Sequence, residues 1–173
     1  NSEIRKKIKK IKKTKKKFDY EKQKELISKL DFTLTKDQNK TLDEINKDLC
    51  SENKMFRLLQ GDVGSGKTIV SLLSGFNTIN SGFQVAVMTP TEILARQHFL
   101  LAKKIFPKNI RIDFLSGKSN YREKKNILVK LLNKQTDIVF GTHALFQKKV
   151  EFKKLGLVII DEQHKFGVSQ RKK

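Results

Sequence analysis

The chain has 173 residues, of which 37% are hydrophobic and 32% are charged, so it is long enough for one domain with a hydrophobic core and too short for two large ones. Its apolar runs, such as residues 157–160, are far shorter than the roughly 20 residues of a membrane-spanning helix, which excludes such a helix. The formal net charge of +20 excludes an acidic protein and favours a polyanion, with nucleic acid the natural partner.

The first 17 residues concentrate this charge, because they hold ten lysine and arginine residues against Glu3 alone. Two interpretations stay open for this segment: a solvated, partly helical run, or a face that contacts DNA. The chain starts at Asn1 without an apolar signal region, so we expect a fragment of a longer intracellular, cytoplasmic protein. The lone Cys50 excludes an internal disulfide and is expected to be a small, partly buried apolar residue.

The remaining elements follow in chain order. The leucine and isoleucine spacing from Phe18 to Ser51 predicts a short helical preface of two helices, with Thr35 capping the second. After Glu52, short apolar runs alternate with amphipathic stretches, which predicts an α/β fold with a parallel sheet flanked by helices. The predicted strands are Phe56–Leu59, Gln84–Thr89, Ile110–Leu115, Asp137–Gly141 and Leu157–Asp161, and the predicted helices between them are Lys67–Asn80, Thr91–Ile105 and Tyr121–Asn133.

Residues 61–68 complete the phosphate-binding motif G-x-x-x-x-G-K-[ST], between an apolar run and a predicted helix. The backbone N–H groups of such a loop bind the phosphates of ATP, and here the loop consists of Gly61, Asp62, Val63, Gly64, Ser65 and Gly66. Lys67 is expected to reach the β- and γ-phosphates, and the Thr68 hydroxyl to bind Mg²⁺. The alternative is a glycine-rich turn with an incidental Lys-Thr pair.

Two carboxylates, Asp161 and Glu162, follow the apolar run at 157–160. Ligands bind at the carboxyl ends of strands in open α/β sheets. We therefore expect Asp161 to hold Mg²⁺ and Glu162 to orient the water that attacks the γ-phosphate. A plain strand-ending turn is the alternative.

Four segments in this order resemble the superfamily 2 helicases, and within them the bacterial branched-DNA helicases. The segments are LLQGDVGSGKT at 58–68, TPTEILA at 89–95, GTHAL at 141–145 and DEQHKFGV at 161–168. The resemblance covers residues 32–173 and implies a RecA-like P-loop NTPase domain there, truncated after Asp-Glu-Gln-His, which leaves residues 1–31 as a lysine-rich helical preface or linker. Transcription-repair coupling translocases are similar over the same stretch, and Asp-Glu-Gln-His favours the branched-DNA helicases.

Carried over to this sequence, the resemblance implies ATP hydrolysis with Mg²⁺ at Lys67, Thr68, Asp161 and Glu162, while Gln163 and His164 couple hydrolysis to DNA. It also places the adenine base against Phe32 and Gln38. A core position for Phe32 and a surface amide for Gln38 are the alternatives.

The resemblance further implies that two elements contact the DNA backbone, namely Thr89, Pro90 and Thr91 with Arg96, and Gly141, Thr142 and His143. Thr91 also fits a helix N-cap, a role that is compatible with DNA contact, and His143 also fits a structural role. Ser116-Gly117 is either a further turn near DNA or a simple strand-ending turn.

As a whole, the resemblance implies an ATP-dependent helicase that unwinds or remodels branched or forked DNA in recombination and repair. It also implies a second RecA-like domain and a wedge domain in the same parent chain, so we expect the isolated fragment to bind ATP weakly and hydrolyse it slowly or not at all. Two alternatives of other classes stay open: a P-loop kinase or nucleotide switch, and a non-catalytic DNA-binding module that retains the loop.

Overall fold

The computed structural model describes residues 13–60, 66–146 and 150–161. The chain forms two compact units, Asn1–Gly82 and Phe83–Lys173. Within the described ranges, no helix is both long and apolar enough to cross a membrane.

The first unit contains three helices among its described residues: α1 (Tyr20–Ser28), α2 (Lys36–Cys50) and α3 (Lys67–Asn80). The Asp19 side chain caps α1. Thr35 caps α2 in a reciprocal arrangement with Gln38, in which each side chain accepts a hydrogen bond from the other residue's backbone N–H. The predicted two-helix preface and the cap at Thr35 are therefore confirmed.

Packing in this unit combines leucines with a buried amide network. Leu42, Leu49, Leu72 and Leu73 are at most 2% exposed. The network takes one residue from each helix, since the Gln23 Oε1 atom accepts hydrogen bonds from Asn46 and Asn77. Buried amides need partners, so the network fixes how the three helices of this unit pack.

The predicted strand at Phe56–Leu59 is wrong, because residues 54–60 lie in no regular element. The Phe56 and Leu58 side chains are 61% and 71% exposed, whereas the predicted strand required them to be buried. Arg57 between them is held by ion pairs to Glu44 and Asp48 of α2, at 3.1 and 2.6 Å. An ion-paired surface segment therefore occupies the place of the predicted strand.

The second unit alternates strands and helices in the order β1 (Gln84–Thr89), α4 (Glu92–Ile105), β2 (Ile112–Leu115), α5 (Tyr121–Leu132), β3 (Ile138–Thr142), α6 (His143–Phe146) and β4 (Leu155–Ile160). The four strands form one sheet in the order β2-β3-β1-β4, and every pair is parallel. The predicted α/β fold with a parallel sheet is confirmed, although β2, β3 and β4 begin one or two residues away from the predicted positions. The one-turn helix α6 was not predicted.

Successive side chains of a strand point to opposite faces of the sheet, and helices pack on both faces. On one face Phe99 of α4 packs against Phe114 and Phe140. On the other, Leu131 of α5 packs with Val139 and its neighbours in a buried cluster. The sheet is therefore buried at its centre, and its strand ends are left to carry loops.

Candidate functional site

The parallel register brings the carboxyl ends of the four strands to one edge of the sheet. Thr89 of β1 pairs with Thr142 of β3, Leu115 of β2 pairs with Gly141, and Met88 pairs with Ile160 of β4. This carboxyl edge therefore consists of Thr89, Pro90, Thr91, Ser116, Gly117, Gly141, Thr142, His143 and Asp161. Four segments that were distant in the sequence are neighbours here.

Thr89 and Thr91 shape the turn between β1 and α4. The buried Thr89 hydroxyl donates a 2.7 Å hydrogen bond to the Thr91 carbonyl. The exposed Thr91 hydroxyl accepts a hydrogen bond from the Leu94 N–H at 3.3 Å, which makes it the N-cap of α4. The N-cap interpretation of Thr91 is thus confirmed, and the helix N-terminus that it caps opens at the carboxyl edge.

The turn after β2 is tied to the same helix. The buried Ser116 hydroxyl contacts Glu92 Oε1 at 2.5 Å, in the first turn of α4. Ser116 Oγ also accepts a hydrogen bond from the Lys118 N–H, and the Lys124 ammonium donates to the Gly117 carbonyl at 3.0 Å. The Ser116-Gly117 turn therefore lies beside the Thr91 cap and is flanked by lysines.

Gly141 lies in a tight space. A Cβ atom built on it would lie 3.0 Å from the Phe146 ring and 3.1 Å from the Leu115 carbonyl. The absence of a side chain lets α6 turn back over the end of β3. Thr142 and His143 follow at once, both partly buried, so this element reaches the carboxyl edge in a fixed conformation.

Arg96 projects from α4 over the aromatic cluster. Its guanidinium lies 4.6 Å from the centre of the Phe114 ring, and the residue is exposed. An arginine held on an aromatic face keeps its charge available while its orientation is restricted. This arrangement suits an anion contact.

Asp161 follows β4 and is held at two points. Its N–H donates to the Met88 carbonyl at 2.9 Å, and its Oδ2 lies 2.5 Å from Nε2 of His98 on α4. Sequence reasoning missed His98. The available signal was a histidine two turns after Thr91, on the stripe of α4 that also carries the fully buried Ala95 and Ala102.

In the first unit, Gly66 precedes α3 with a left-handed φ of 77°, and Lys67 and Thr68 form the start of that helix, both partly buried. A Cβ on Gly66 would collide with Nε2 of Gln38, whose Oε1 accepts from the Thr35 N–H at 2.9 Å. The Gln38 amide is therefore fixed beside the last glycine of the loop. Phe32 is 43% exposed, so the alternative that it is a core residue is wrong.

Several predicted site residues lie outside the described ranges. They are Gly61, Asp62, Val63, Gly64 and Ser65 of the loop, and Glu162, Gln163 and His164 after Asp161.

Mg²⁺ prefers hard oxygen ligands. The Thr68 hydroxyl in the first unit and the Asp161 carboxylate in the second are each of this kind. Across residues 13–60, 66–146 and 150–161, no three His, Cys, Asp or Glu side chains cluster as a metal cage would need. Mg²⁺ in nucleotide sites is commonly held by one or two carboxylates together with substrate phosphates, a pattern that a single carboxylate such as Asp161 fits.

Comparison with known proteins identifies a matching family model, similar sequences and a similar solved structure. A family model for the DEAD/DEAH box helicases matches residues 35–173. The chain is 50% identical over 143 residues to the ATP-dependent DNA helicase RecG of Streptococcus pneumoniae, with 83% of this chain and 21% of that protein covered. It is 52% identical over 148 residues to RecG of Thermotoga maritima, covering 85% and 19% respectively.

A solved structure described as RecG bound to a three-way DNA junction is similar with a TM-score of 0.88 and 47% identity, over 95% of this chain and 23% of that one. The chain thus spans about one fifth of the length of the curated relatives that it matches.

Proposed function

The chain belongs to the DEAD/DEAH box helicase family, and from this premise we propose that it is the ATP-binding motor domain of a RecG-like helicase that unwinds or remodels branched DNA. The observation that carries the proposal is the carboxyl edge, where Asp161 shares one sheet edge with the Thr91 cap and the Gly141–His143 segment. A candidate hydrolytic carboxylate and candidate phosphate-binding turns along one sheet edge support this proposal. The similarity favours a helicase over a kinase or a translocase of the coupling type.

The nucleotide half of the proposal rests on the start of α3. The N–H groups of a helix N-terminus point towards bound anions, and Lys67 with Thr68 stand at that start. Lys67 reaches the β- and γ-phosphates, and Thr68 offers its hydroxyl to Mg²⁺. Gln38 and Phe32 contact the adenine base. The capping hydrogen bond holds Gln38 in place for this role, and Phe32 is exposed and therefore accessible to a base.

The hydrolytic step needs a positioned water and neutralised phosphate charge more than covalent chemistry. Asp161 holds the metal, and Glu162 accepts a hydrogen bond from the attacking water and orients it. Mg²⁺, when bound, neutralises charge on the transferred phosphoryl group. Gln163 and His164 connect this site to the DNA.

The DNA half of the proposal uses backbone contacts without sequence readout. Thr89, Pro90 and Thr91 present the N-terminus of α4, and Gly141, Thr142 and His143 present the end of β3. Arg96 adds a cation restrained by Phe114. The net charge of +20 supplies the long-range attraction to phosphates.

We propose that the activity of the whole protein also requires a second RecA-like domain and a wedge domain, in addition to this motor domain. An arginine donated across the nucleotide contributes on the order of 10³–10⁵ in rate in related enzymes. We therefore expect the 173-residue chain to bind ATP weakly and to hydrolyse it slowly.

A fluorescent ATP analogue titrated into the chain with Mg²⁺ tests the nucleotide half. Lys67→Ala should remove measurable binding, whereas Lys29→Ala, which deletes an exposed lysine of the first unit paired with Glu25, should leave the affinity unchanged. Equal affinity in the wild type and Lys67→Ala contradicts the proposal.

A further inference from the structure

We propose that His98 is a positioning residue that holds the Asp161 carboxylate in place for metal coordination. The inference rests on the proposed function, because it takes Asp161 as the metal ligand. His98 lies on α4, 63 residues before Asp161 in the sequence.

The contact is short and shielded. His98 Nε2 and Asp161 Oδ2 are 2.5 Å apart, and the two side chains are 12% and 31% exposed. An ionised carboxylate only accepts hydrogen bonds, so Nε2 carries the proton and donates. A carboxylate has several acceptor directions across its two oxygens, so this bond is compatible with coordination of a metal by the same group.

The helix that carries His98 is well placed to hold it still. Ala95 and Ala102, one turn before and after, are fully buried, and α4 packs against β1, β2 and β3. Alanines at these positions let the helix lie close to the sheet, so that the imidazole reaches the end of β4. The rigid ring then fixes the direction of the Asp161 side chain, whose backbone is already held by Met88.

Metal sites commonly depend on such outer partners, because a hydrogen bond to a ligating carboxylate sets its orientation before the metal arrives. Loss of a partner of this kind typically weakens metal binding on the order of 10- to 100-fold. Removal of the His98 donor should therefore weaken metal binding to this chain without weakening nucleotide binding.

The experiment titrates Mn²⁺, as a paramagnetic substitute for Mg²⁺, into the 173-residue chain saturated with ADP, and follows bound metal by electron paramagnetic resonance. Three variants are compared with the wild type: His98→Leu fills the space without a donor, His98→Gln retains an N–H donor, and Gln97→Ala changes the exposed neighbour on the same helix. Affinity for ADP in EDTA is measured for each and serves as the test of an intact fold.

We expect His98→Leu to weaken Mn²⁺ affinity on the order of 10-fold or more, with unchanged ADP affinity in EDTA. His98→Gln should recover most of the loss, and Gln97→Ala should match the wild type. Should His98→Leu not fold, His98→Ala takes its place in the same comparison.

Two results overturn the inference: wild-type Mn²⁺ affinity in the donor-free variant, or equal losses in His98→Leu and His98→Gln, which would indicate packing alone. Failure of the proposed function looks different. In that case the wild type itself binds no Mn²⁺ with ADP, or Asp161→Asn leaves its Mn²⁺ affinity unchanged.

Discussion

The Glu92 carboxylate, in the first turn of α4, and the buried Ser116 hydroxyl, after β2, form a hydrogen bond of 2.5 Å. The bond joins two turns of the carboxyl edge that are 24 residues apart in the sequence. It also puts a negative charge at a helix N-terminus, where the helix dipole stabilises it. The position of the Ser116-Gly117 turn therefore depends on Glu92.

Replacing Glu92 by alanine should destabilise the second unit by about 1.5–3 kcal/mol, the usual range for a hydrogen bond to a charged group. Glu92→Gln keeps an acceptor oxygen and should lose less. Urea unfolding of the two variants measures the difference. Equal stability of Glu92→Ala and the wild type would show that the bond contributes nothing.

Gly66→Ala should destabilise the first unit and weaken nucleotide binding. A left-handed backbone costs an L-residue about 1–2 kcal/mol, and the new Cβ also collides with the Gln38 amide. Gln38→Ala in the same chain relieves the collision but not the backbone strain, so the double variant should be more stable than the sum of the two single losses predicts. Thermal unfolding of the four proteins tests the coupling, and strict additivity argues against the collision.

Arg96→Ala should weaken DNA binding and make the DNA affinity less dependent on salt concentration. Each phosphate neutralised by a cation contributes about −0.9 to the slope of log affinity against log salt on duplex DNA, so loss of one contact should reduce the slope by roughly one. Lys108→Ala is the matched control, because this exposed lysine precedes β2 at the opposite edge of the sheet. A slope that falls equally in both variants indicates general charge loss instead.

Lys16→Met should stabilise the chain at pH 7 and progressively less at higher pH. Burial, followed by repulsion from Lys13, lowers the Lys16 pKa from 10.5 to about 8. The unfolded chain therefore binds the Lys16 proton more tightly than the folded chain does. Burial of the charged Lys16 lowers the free energy of unfolding by its full amount below pH about 8, and this loss disappears as the pH rises towards 10.5. Melting temperatures at pH 7 and pH 10 measure the effect, with Lys17→Met as the exposed control. A gain of the same size at both pH values contradicts the assignment.

Much of the fold was predictable where local signals agreed. Helix α3 has the predicted bounds, Lys67–Asn80, because a glycine-rich loop marks its start and its apolar residues recur at helical spacing. Thr35 caps its helix as predicted, because a threonine with a glutamine three residues later is a local signal.

Other features depended on tertiary contacts that no local pattern contains. Residues 56–59 have the apolar character of a strand, but Arg57 is held by carboxylates of α2. The four-residue helix α6 is too short to show periodicity. The motifs identified Asp161 but did not identify His98 as its partner, because their contact arises only when α4 packs on the sheet.

The most direct test of a motor domain is residue-level amide NMR of the 173-residue chain, titrated first with Mg²⁺–ADP and then with a three-way DNA junction. We expect the nucleotide to shift the amide signals of Gly66, Lys67, Thr68 and Asp161, and the DNA to shift those of Thr91, Ser116, Gly117, Gly141, Thr142 and His143. Unchanged signals of Gly66–Thr68 with the nucleotide, or DNA shifts confined to the lysine-rich residues 13–17, would contradict a motor domain.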